Sequence, residues 1–271
     1  MGVLNITPDS FSDGGQLYAD SDVLLDAVTQ RAQAMLSAGA VVLDVGGEST
    51  RPGAAPVTVA EELRRVIPVV AALCELDTIV SVDTRHAEVA LAAIAEGAQL
   101  INDVSAGSDP TMLDAVAATD AGLALMHMQG SPATMQTAPS YVDVIGEVRA
   151  FLATRIAACE SAGIAPERLI IDPGFGFGKS IEHNLLLLAK LQDVRIKELP
   201  ILVGLSRKST VGAITGREVD ERVHGSVAAA LLAAQQGADL LRVHDVAATM
   251  DALNMLRAVT QADPELGINR I

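Results

Sequence analysis

The phrase AEGAQLINDV (95–104) joins a small-residue segment of helical character to one glycine and then to an apolar run that ends on polar residues. It recurs in outline as SAGAVVLDV (37–45) and QQGADLLRVHDV (235–246). Each glycine is read as the left-handed cap that closes a helix, with a strand following within a few residues. Outward from these three phrases the same alternation covers the chain. The predicted strands are GVLNIT (2–7), VVLDVG (41–46), TIVSVDT (78–84), LINDVS (100–105), GLALMHM (122–128), LIIDPG (169–174), PILVGLS (200–206) and LLRVHD (240–245). Their near-continuous apolarity suits parallel strands buried on both faces. Between them, Thr58 to Glu61 forms a capping box ahead of EELRRVIPVVAALC, in which Pro68 is expected to bend or break the helix. Asp109-Pro110 supplies a cap and a first-turn proline to another helix. Eight strand–helix alternations predict an α/β fold, a (β/α)8 TIM barrel; a doubly wound sheet is the alternative, because closure leaves no local mark.

No composition shift or linker divides the 271 residues, so one domain spanning 1–271 is expected. Half of the residues are hydrophobic and only 2% aromatic, so the core is built from Ala, Val, Leu and Ile. A net charge of −15 without a Lys/Arg run excludes nucleic acid and anionic membranes as natural partners. No apolar run has the length of a membrane span, and no signal peptide is expected ahead of the first strand. Cys74 and Cys159 show no paired spacing, which suits a reducing cytoplasm.

One stretch points elsewhere. DPGFGFGKS (172–180) lies between a strand and a helix and resembles a nucleotide-phosphate loop. That loop needs glycine five residues before Gly178, where this chain has Pro173, which has no N–H to offer a phosphate. The motif therefore misses by one residue.

In a barrel the chemistry sits where strands end. The strand ends here carry Asn5, Asp44, Asp83, Asn102, His127, Asp172, Ser206 with Lys208, and Arg242 with His244. A lone acid after a strand equally well caps the next helix, and Asp44 is the strongest structural case because its apolar run continues past it. Two carboxylates and an amide from Asp83, Asp172 and Asn102 suit a flat, nitrogen-rich heterocycle with several N–H donors. Arg51, Arg207, Lys208 and Arg242 form a sparse cationic set suited to an anionic substrate, although Arg51 and Arg207 also have the option of pairing with surface acids. Arg242 and His244 share a strand face and read as a phosphate grip. His86, His183 and His224 read as surface or helix residues, and His127 as intermediate. The loops TPDSFSDGG (7–15) and GGESTRPGAAP (46–56) read as mobile lids.

Taken in order, GVLNITPDSFSDGG, GGESTRPGA, SVDT, INDVSAG, LMHMQG, IIDPGFGFGK, GLSRKS and RVHDV resemble the dihydropteroate synthase family of folate-pathway enzymes, over residues 2 to about 250. The resemblance implies a (β/α)8 barrel that joins a dihydropterin pyrophosphate to 4-aminobenzoate, with Mg2+ as cofactor and sulfonamides as inhibitors. It implies that Asp83, Asn102, Asp172 and Lys208 hold the pterin, with Met126 and Gly204 lining its slot and Arg242 against its face. Asn5, Thr50, Arg51, Arg242 and His244 would meet pyrophosphate, with Asn5 also touching Mg2+. Thr50, Arg51, Pro52, Phe177, Gly178, Lys208 and Ser209 would surround 4-aminobenzoate, and Phe11 and Asp13 would lie on the closing first loop. Catalytic roles would fall to Asp13, Asp172, Lys208 and Arg242, in a dissociative reaction in which pyrophosphate leaves before the amine attacks. The intact GESTRPG phrase implies ordinary sulfonamide sensitivity. Three rival readings are a folate–corrinoid methyltransferase, which needs the pterin grip without STRPG and SRKS, a silent pterin-binding paralogue, and, on fold alone, a phosphate-binding aldolase or isomerase barrel. The last would want a Schiff-base lysine that no strand interior here carries. The chain opens directly on its first strand where family members carry a preceding stretch, so a less covered barrel base or an upstream start is expected. The Ala-rich SVAAALLAAQQ (226–236) is the expected homodimer face.

Overall fold

The computed structural model describes residues 1–7, 18–19, 22–49, 56–130 and 134–263. All eight predicted strands form. They are β1 (Gly2–Asn5), β4 (Val42–Gly46), β5 (Ile79–Asp83), β6 (Leu100–Asp103), β7 (Gly122–Met126), β8 (Leu169–Asp172), β9 (Leu202–Val203) and β10 (Leu240–Leu241). The first six form one parallel sheet in the order β1-β4-β5-β6-β7-β8, and β9 pairs with β10. Parallel bridges Gly2↔Val243 and Ile171↔Ile201 join the two groups, so the sheet closes on itself into a barrel. Closure is what excludes the doubly wound alternative. A short antiparallel hairpin, β2 (Tyr18–Ala19) with β3 (Asp22–Val23), lies within the first βα connection and was not among the predicted strands.

Each strand is followed by helix. These are α1 (Leu25–Ser37), α2 (Val59–Cys74), α3 (Ala87–Ala95), α4 (Pro110–Ala117), α5 (Val144–Ser161), α6 (Ile181–Ala189), α7 (Ser209–Thr215) with α8 (Val223–Gln235), and α9 (Val246–Ala262). Gly39, Gly97 and Gly237 take the left-handed conformation that their phrases predict, at φ +100, +109 and +90°. Thr58 caps α2 by accepting from the Glu61 amide at 3.3 Å, and Asp109 caps α4. Pro68 does not break α2, which runs through it. The proline lies on the exposed side, so the Arg64 carbonyl that its ring deprives of a partner is within reach of water.

The side-chain period of two divides the barrel interior into layers. Leu100, Ala124 and Leu202 form a small apolar cluster with Ile170 and Leu240 packed against it. Two residues further along those strands stand Asn102, Met126, Gly204, Asp172 and Arg242. The apolar layer plugs the barrel, and the next layer up is polar and faces the C-terminal mouth. Outside the strands a larger core of aliphatic side chains packs the helices onto the sheet.

Candidate active site

A cavity of about 700 Å³ opens at the C-terminal mouth, lined by Asn5, Asp83, Asn102, Met126, Asp172 and Gly204, with Ser206, Lys208, Ser209, Arg242 and His244. Seven of the eight barrel strands thus bring a residue at or just past their end. The remaining strand, β4, is followed by Glu48 and Ser49, which line the cavity instead. Parallel register sets this layer: Asn5 pairs with Gly46, Gly46 with Asp83, and Asp83 with Asn102. A Cβ on Gly46 would stand 3.6 Å from Asp83 Cβ and 3.8 Å from Asn5 Oδ1, so its absence leaves the room between those polar groups open. Gly204 acts likewise between Lys208 Nζ and Arg242, each 3.8 Å from the position a Cβ would take.

Asp44 lies one layer down and does not line the cavity, in keeping with its structural role in the sequence. It is wholly buried and accepts from Ser81 Oγ at 2.6 Å, Arg242 Nε at 2.6 Å and, more weakly, Asn102 Nδ2 at 3.4 Å. Arg242 Nη2 donates to Asp83 Oδ2 at 2.9 Å. The arginine is therefore held by two carboxylates while it lines the cavity beside His244. Burial pushes the Asp83 carboxyl up to about 7, with Arg242 pulling the other way. Burial alone would lower the Arg242 pKa, but the charges of Asp44 and Asp83 outweigh it and hold it above its usual value.

Asp172 accepts the Gly174 amide at 2.7 Å. Burial raises its pKa, and the Lys208 ammonium is the chief opposing influence. Lys208, brought down to about 8 by burial against the pull of Asp172, donates to the Phe175 carbonyl and stands 4.6 Å from the Phe177 ring centroid. Met126 and Ser209 line the cavity as expected. Beyond β10 the ladder ends because the His244 amide donates to Ser206 Oγ at 3.2 Å, and His244 Nδ1 lies 3.0 Å from the same oxygen. Arg207, at φ +59°, pairs with Asp245 at 2.6 Å, so the ion-pair option is realised although the residue also lines the cavity.

Gly178 departs from expectation. It does not line the cavity: its carbonyl accepts from Tyr141 Oη at 2.7 Å, and a Cβ there would meet the Gln129 carbonyl at 2.4 Å. Gly176 and Phe177 form the wall instead. The glycine run turns over in the left-handed region, with Gly174, Gly176 and Gly178 at φ +69, +81 and +61°, and this reverses which way each residue faces. Lys179, the residue that imitates a phosphate-loop lysine, is buried and faces away from the cavity. Gln136 and Glu48 line the cavity without having been foreseen. Glu48 had a signal, an acid inside the quoted GGESTRPG loop; it accepts from the Val57 amide at 3.1 Å and pairs with Arg85 at 3.0 Å. Gln136, which donates to the Gly176 carbonyl at 2.5 Å, had none.

His86 has a partner that sequence did not suggest, the buried Glu62 carboxylate at 2.6 Å. His183 closes a capping box with Ser180 at the start of α6. Phe11, Asp13, Thr50, Arg51 and Pro52 lie outside the described residues. Among the described residues, no three His, Cys, Asp or Glu side chains gather as a metal cluster, and no helix is long and apolar enough to cross a membrane.

The set is chemically specific. Three acceptors (Asp83, Asn102 and Asp172) face a cavity that also offers an ammonium and an aromatic wall, an arrangement for a polar heterocycle at one end and a flat ring at the other. A profile of pterin binding enzymes matches residues 1–244. The dihydropteroate synthase of Escherichia coli K12 is 51% identical over 263 residues, 97% of this chain and 92% of that one. The solved Yersinia pestis dihydropteroate synthase, in complex with a sulfonamide drug, superposes with a TM-score of 0.92 at 50% identity, covering 96% of this chain and 94% of that one. The Xanthomonas albilineans dihydropteroate synthase, solved with 4-aminobenzoic acid, does so at 0.87 and 53% identity over 96% and 92%. Acceptor layer, closed barrel and full-length similarity agree, and the chain belongs to the dihydropteroate synthase family of pterin-binding enzymes.

Proposed function

We propose that this chain condenses 6-hydroxymethyl-7,8-dihydropterin pyrophosphate with 4-aminobenzoate, giving 7,8-dihydropteroate and pyrophosphate. The observation that supports this most directly is the acceptor layer of Asp83, Asn102 and Asp172 at the mouth of one cavity, next to Lys208 and Phe177. Pterin ring N–H groups donate to the carboxylates and the amide, and charge on the acceptors strengthens those bonds. The carbon–oxygen bond at the exocyclic methylene breaks with its electron pair leaving on pyrophosphate. Positive charge then develops on the pterinylmethyl carbon and ring, which the Asp172 carboxylate favours. The amine lone pair of 4-aminobenzoate forms the new carbon–nitrogen bond, and its surplus proton goes to solvent. We place bond breaking ahead of amine attack. The Lys208 charge is the chief influence that favours the Asp172 carboxylate against burial, which raises its pKa.

The reading includes Mg2+. Among the described residues the donor set offers Asn5 as its ligand, whose Oδ1 faces the room over Gly46. One amide oxygen fits a hard cation that arrives mostly on substrate phosphate oxygens and keeps waters, not a resident all-protein cage. When bound, the ion would neutralise leaving-group charge. His244, whose Nδ1 lies 3.0 Å from Ser206 Oγ, would meet the same pyrophosphate.

Formation of dihydropteroate in step with pyrophosphate release, dependent on 4-aminobenzoate and Mg2+, is the expected result with purified protein. Pterin binding without turnover would overturn the reading in favour of a silent binding protein. Competitive inhibition by a sulfonamide against 4-aminobenzoate belongs to the same proposal. For pH, kcat/KM of the pterin substrate is expected to rise as Asp83 ionises near about 7 and to fall above about 8, where Lys208 loses its proton. Asp83→Asn is expected to remove the acid limb and, with one anionic neighbour of Lys208 lost, to move the upper limb to lower pH; an unchanged acid limb in that variant assigns it to another group.

We further propose a cytoplasmic homodimer. Ile214, Leu232 and Met255 are exposed apolar side chains, one on each of helices α7, α8 and α9, where α8 packs against both α7 and α9, and such side chains suit a second copy. Sedimentation at twice the chain mass is expected, and a monomer at micromolar concentration would exclude it.

A further inference from the structure

The loop between β8 and α6 is held from beneath by a cation that never reaches the cavity. Lys179 is 3% exposed. Its Nζ donates to the Gly174 carbonyl at 2.8 Å and the Phe177 carbonyl at 2.9 Å, and lies 2.9 Å from His127 Nδ1. The His127 carbonyl is a longer fourth neighbour at 3.4 Å. Three close acceptors match the three protons of an ammonium. Burial, and then the charge of Lys179, hold His127 down to about 3, so its ring is neutral and presents Nδ1 as an acceptor. Phe151 stands edge-on against that ring at 4.9 Å, which fixes its orientation.

Among the described residues no carboxylate hydrogen-bonds this ammonium, so the site is costly for a buried charge. Burial accordingly brings Lys179 down to about 7, against the more distant pull of Asp172. What the side chain does gain is control of the loop. The turn from Gly174 to Phe177 is closed by the Phe177 amide donating to the Gly174 carbonyl at 3.1 Å. Lys179 gathers both of the turn's end carbonyls, while Lys208 takes the Phe175 carbonyl between them. The two lysines thus grip different carbonyls of one turn, one from inside the protein and one from the cavity side. Phe177 faces the cavity because of that turn, under Lys208.

We propose that Lys179 is a positioning residue for the second substrate: by clamping the Gly174 and Phe177 carbonyls against His127 it fixes the Phe177 wall of the 4-aminobenzoate pocket. This rests on the function proposed for the cavity. Of the pterin acceptors, Asp83 and Asn102 belong to strands in the barrel layer and do not touch the clamped turn. Asp172 meets it through the Gly174 amide but is itself fixed at the end of β8, so pterin binding is expected to change less than 4-aminobenzoate binding.

The test is Lys179→Met in the full chain, alone and combined with Phe177→Ala. In Lys179→Met the KM for 4-aminobenzoate is expected to rise about tenfold, while the equilibrium binding of the pterin pyrophosphate changes by less than about threefold. In the Phe177→Ala background the same substitution is expected to add less than about twofold, because the two residues act as one unit. A KM unchanged in Lys179→Met, equal weakening of both substrates, or full additivity with Phe177→Ala would each overturn the proposal. Should Lys179→Met yield no folded protein, His127→Leu removes one acceptor of the ammonium and is read by the same KM and binding pair. A wild-type chain that forms no dihydropteroate would remove the underlying reading, whereas normal wild-type turnover with an indifferent Lys179→Met removes only the clamp.

Discussion

Asp172→Asn is expected to lower turnover by about 10²–10³-fold, the scale seen when one preorganised electrostatic group is removed from a developing charge. The substitution keeps the shape and keeps an oxygen to accept the Gly174 amide, now at 2.7 Å, so the loop has no reason to move. What it removes is the negative charge that the proposed reaction sets against a pterinylmethyl cation, and with it the main anionic influence on Lys208. Lys208 is already brought down to about 8 by burial, so losing Asp172 lowers it further and leaves part of the population neutral near physiological pH. Single-turnover pyrophosphate release measures the chemical step, and titration of the pterin substrate measures the accompanying loss of binding. Turnover within about threefold of wild type would assign the cation-stabilising role to another group. Asp13, the other acid proposed for it on family grounds, is then the residue to replace.

Asp44→Ala is expected to cost about 3–5 kcal/mol of folding stability, the range for removing one partner of a buried ion pair. Asp44 is fully buried and takes two short hydrogen bonds, from Ser81 and from Arg242 across the barrel. Without it, Ser81 and the Arg242 Nε are left without their acceptor in a layer otherwise plugged by Leu100, Ala124 and Leu202. Asp44→Asn retains an oxygen for Ser81 and is expected to cost less than the alanine variant. A urea midpoint that falls with unchanged slope gives the loss directly. Alanine and asparagine variants equal to wild type would show that Asp83 alone suffices to hold Arg242. Because Arg242 is also held by Asp83, the same variant is expected to weaken pterin binding, which ties a stability residue one layer down to the site above it.

Much of the site was legible because a barrel converts chain position into spatial position. Once VVLDVG, TIVSVDT and LINDVS are strands in a closed parallel sheet, the polar residue at each end must come to one mouth, and Asn5, Asp83, Asn102, Asp172, Lys208 and Arg242 do. The glycine-capped phrases were equally readable, since glycine takes the positive φ of a helix end without steric cost and the apolar run after it has room to start a strand. Pro68 misled because the penalty for a mid-helix proline depends on which side of the helix faces water, and that side is set by packing.

The remaining features depend on neighbours far apart in sequence. Arg242 and Asp44 are 198 residues apart, and nothing local shows that an arginine lining the cavity also spans two carboxylates. Gly178 and Phe177 are adjacent, yet the left-handed turns send one toward Gln129 and the other into the cavity. Lys179 reads as a phosphate-loop lysine by its flanking residues and proves to be a buried clamp, because His127 from the preceding strand–loop unit supplies its acceptor. The sequence by itself determined the elements, their order and the polar strand ends, since these follow from periodicity, caps and backbone chemistry within a few residues. Only the tertiary structure decided closure, layer and partner, because register across the ring of strands is what determines which of those polar groups meet, and the low dielectric of the interior makes each such meeting decisive.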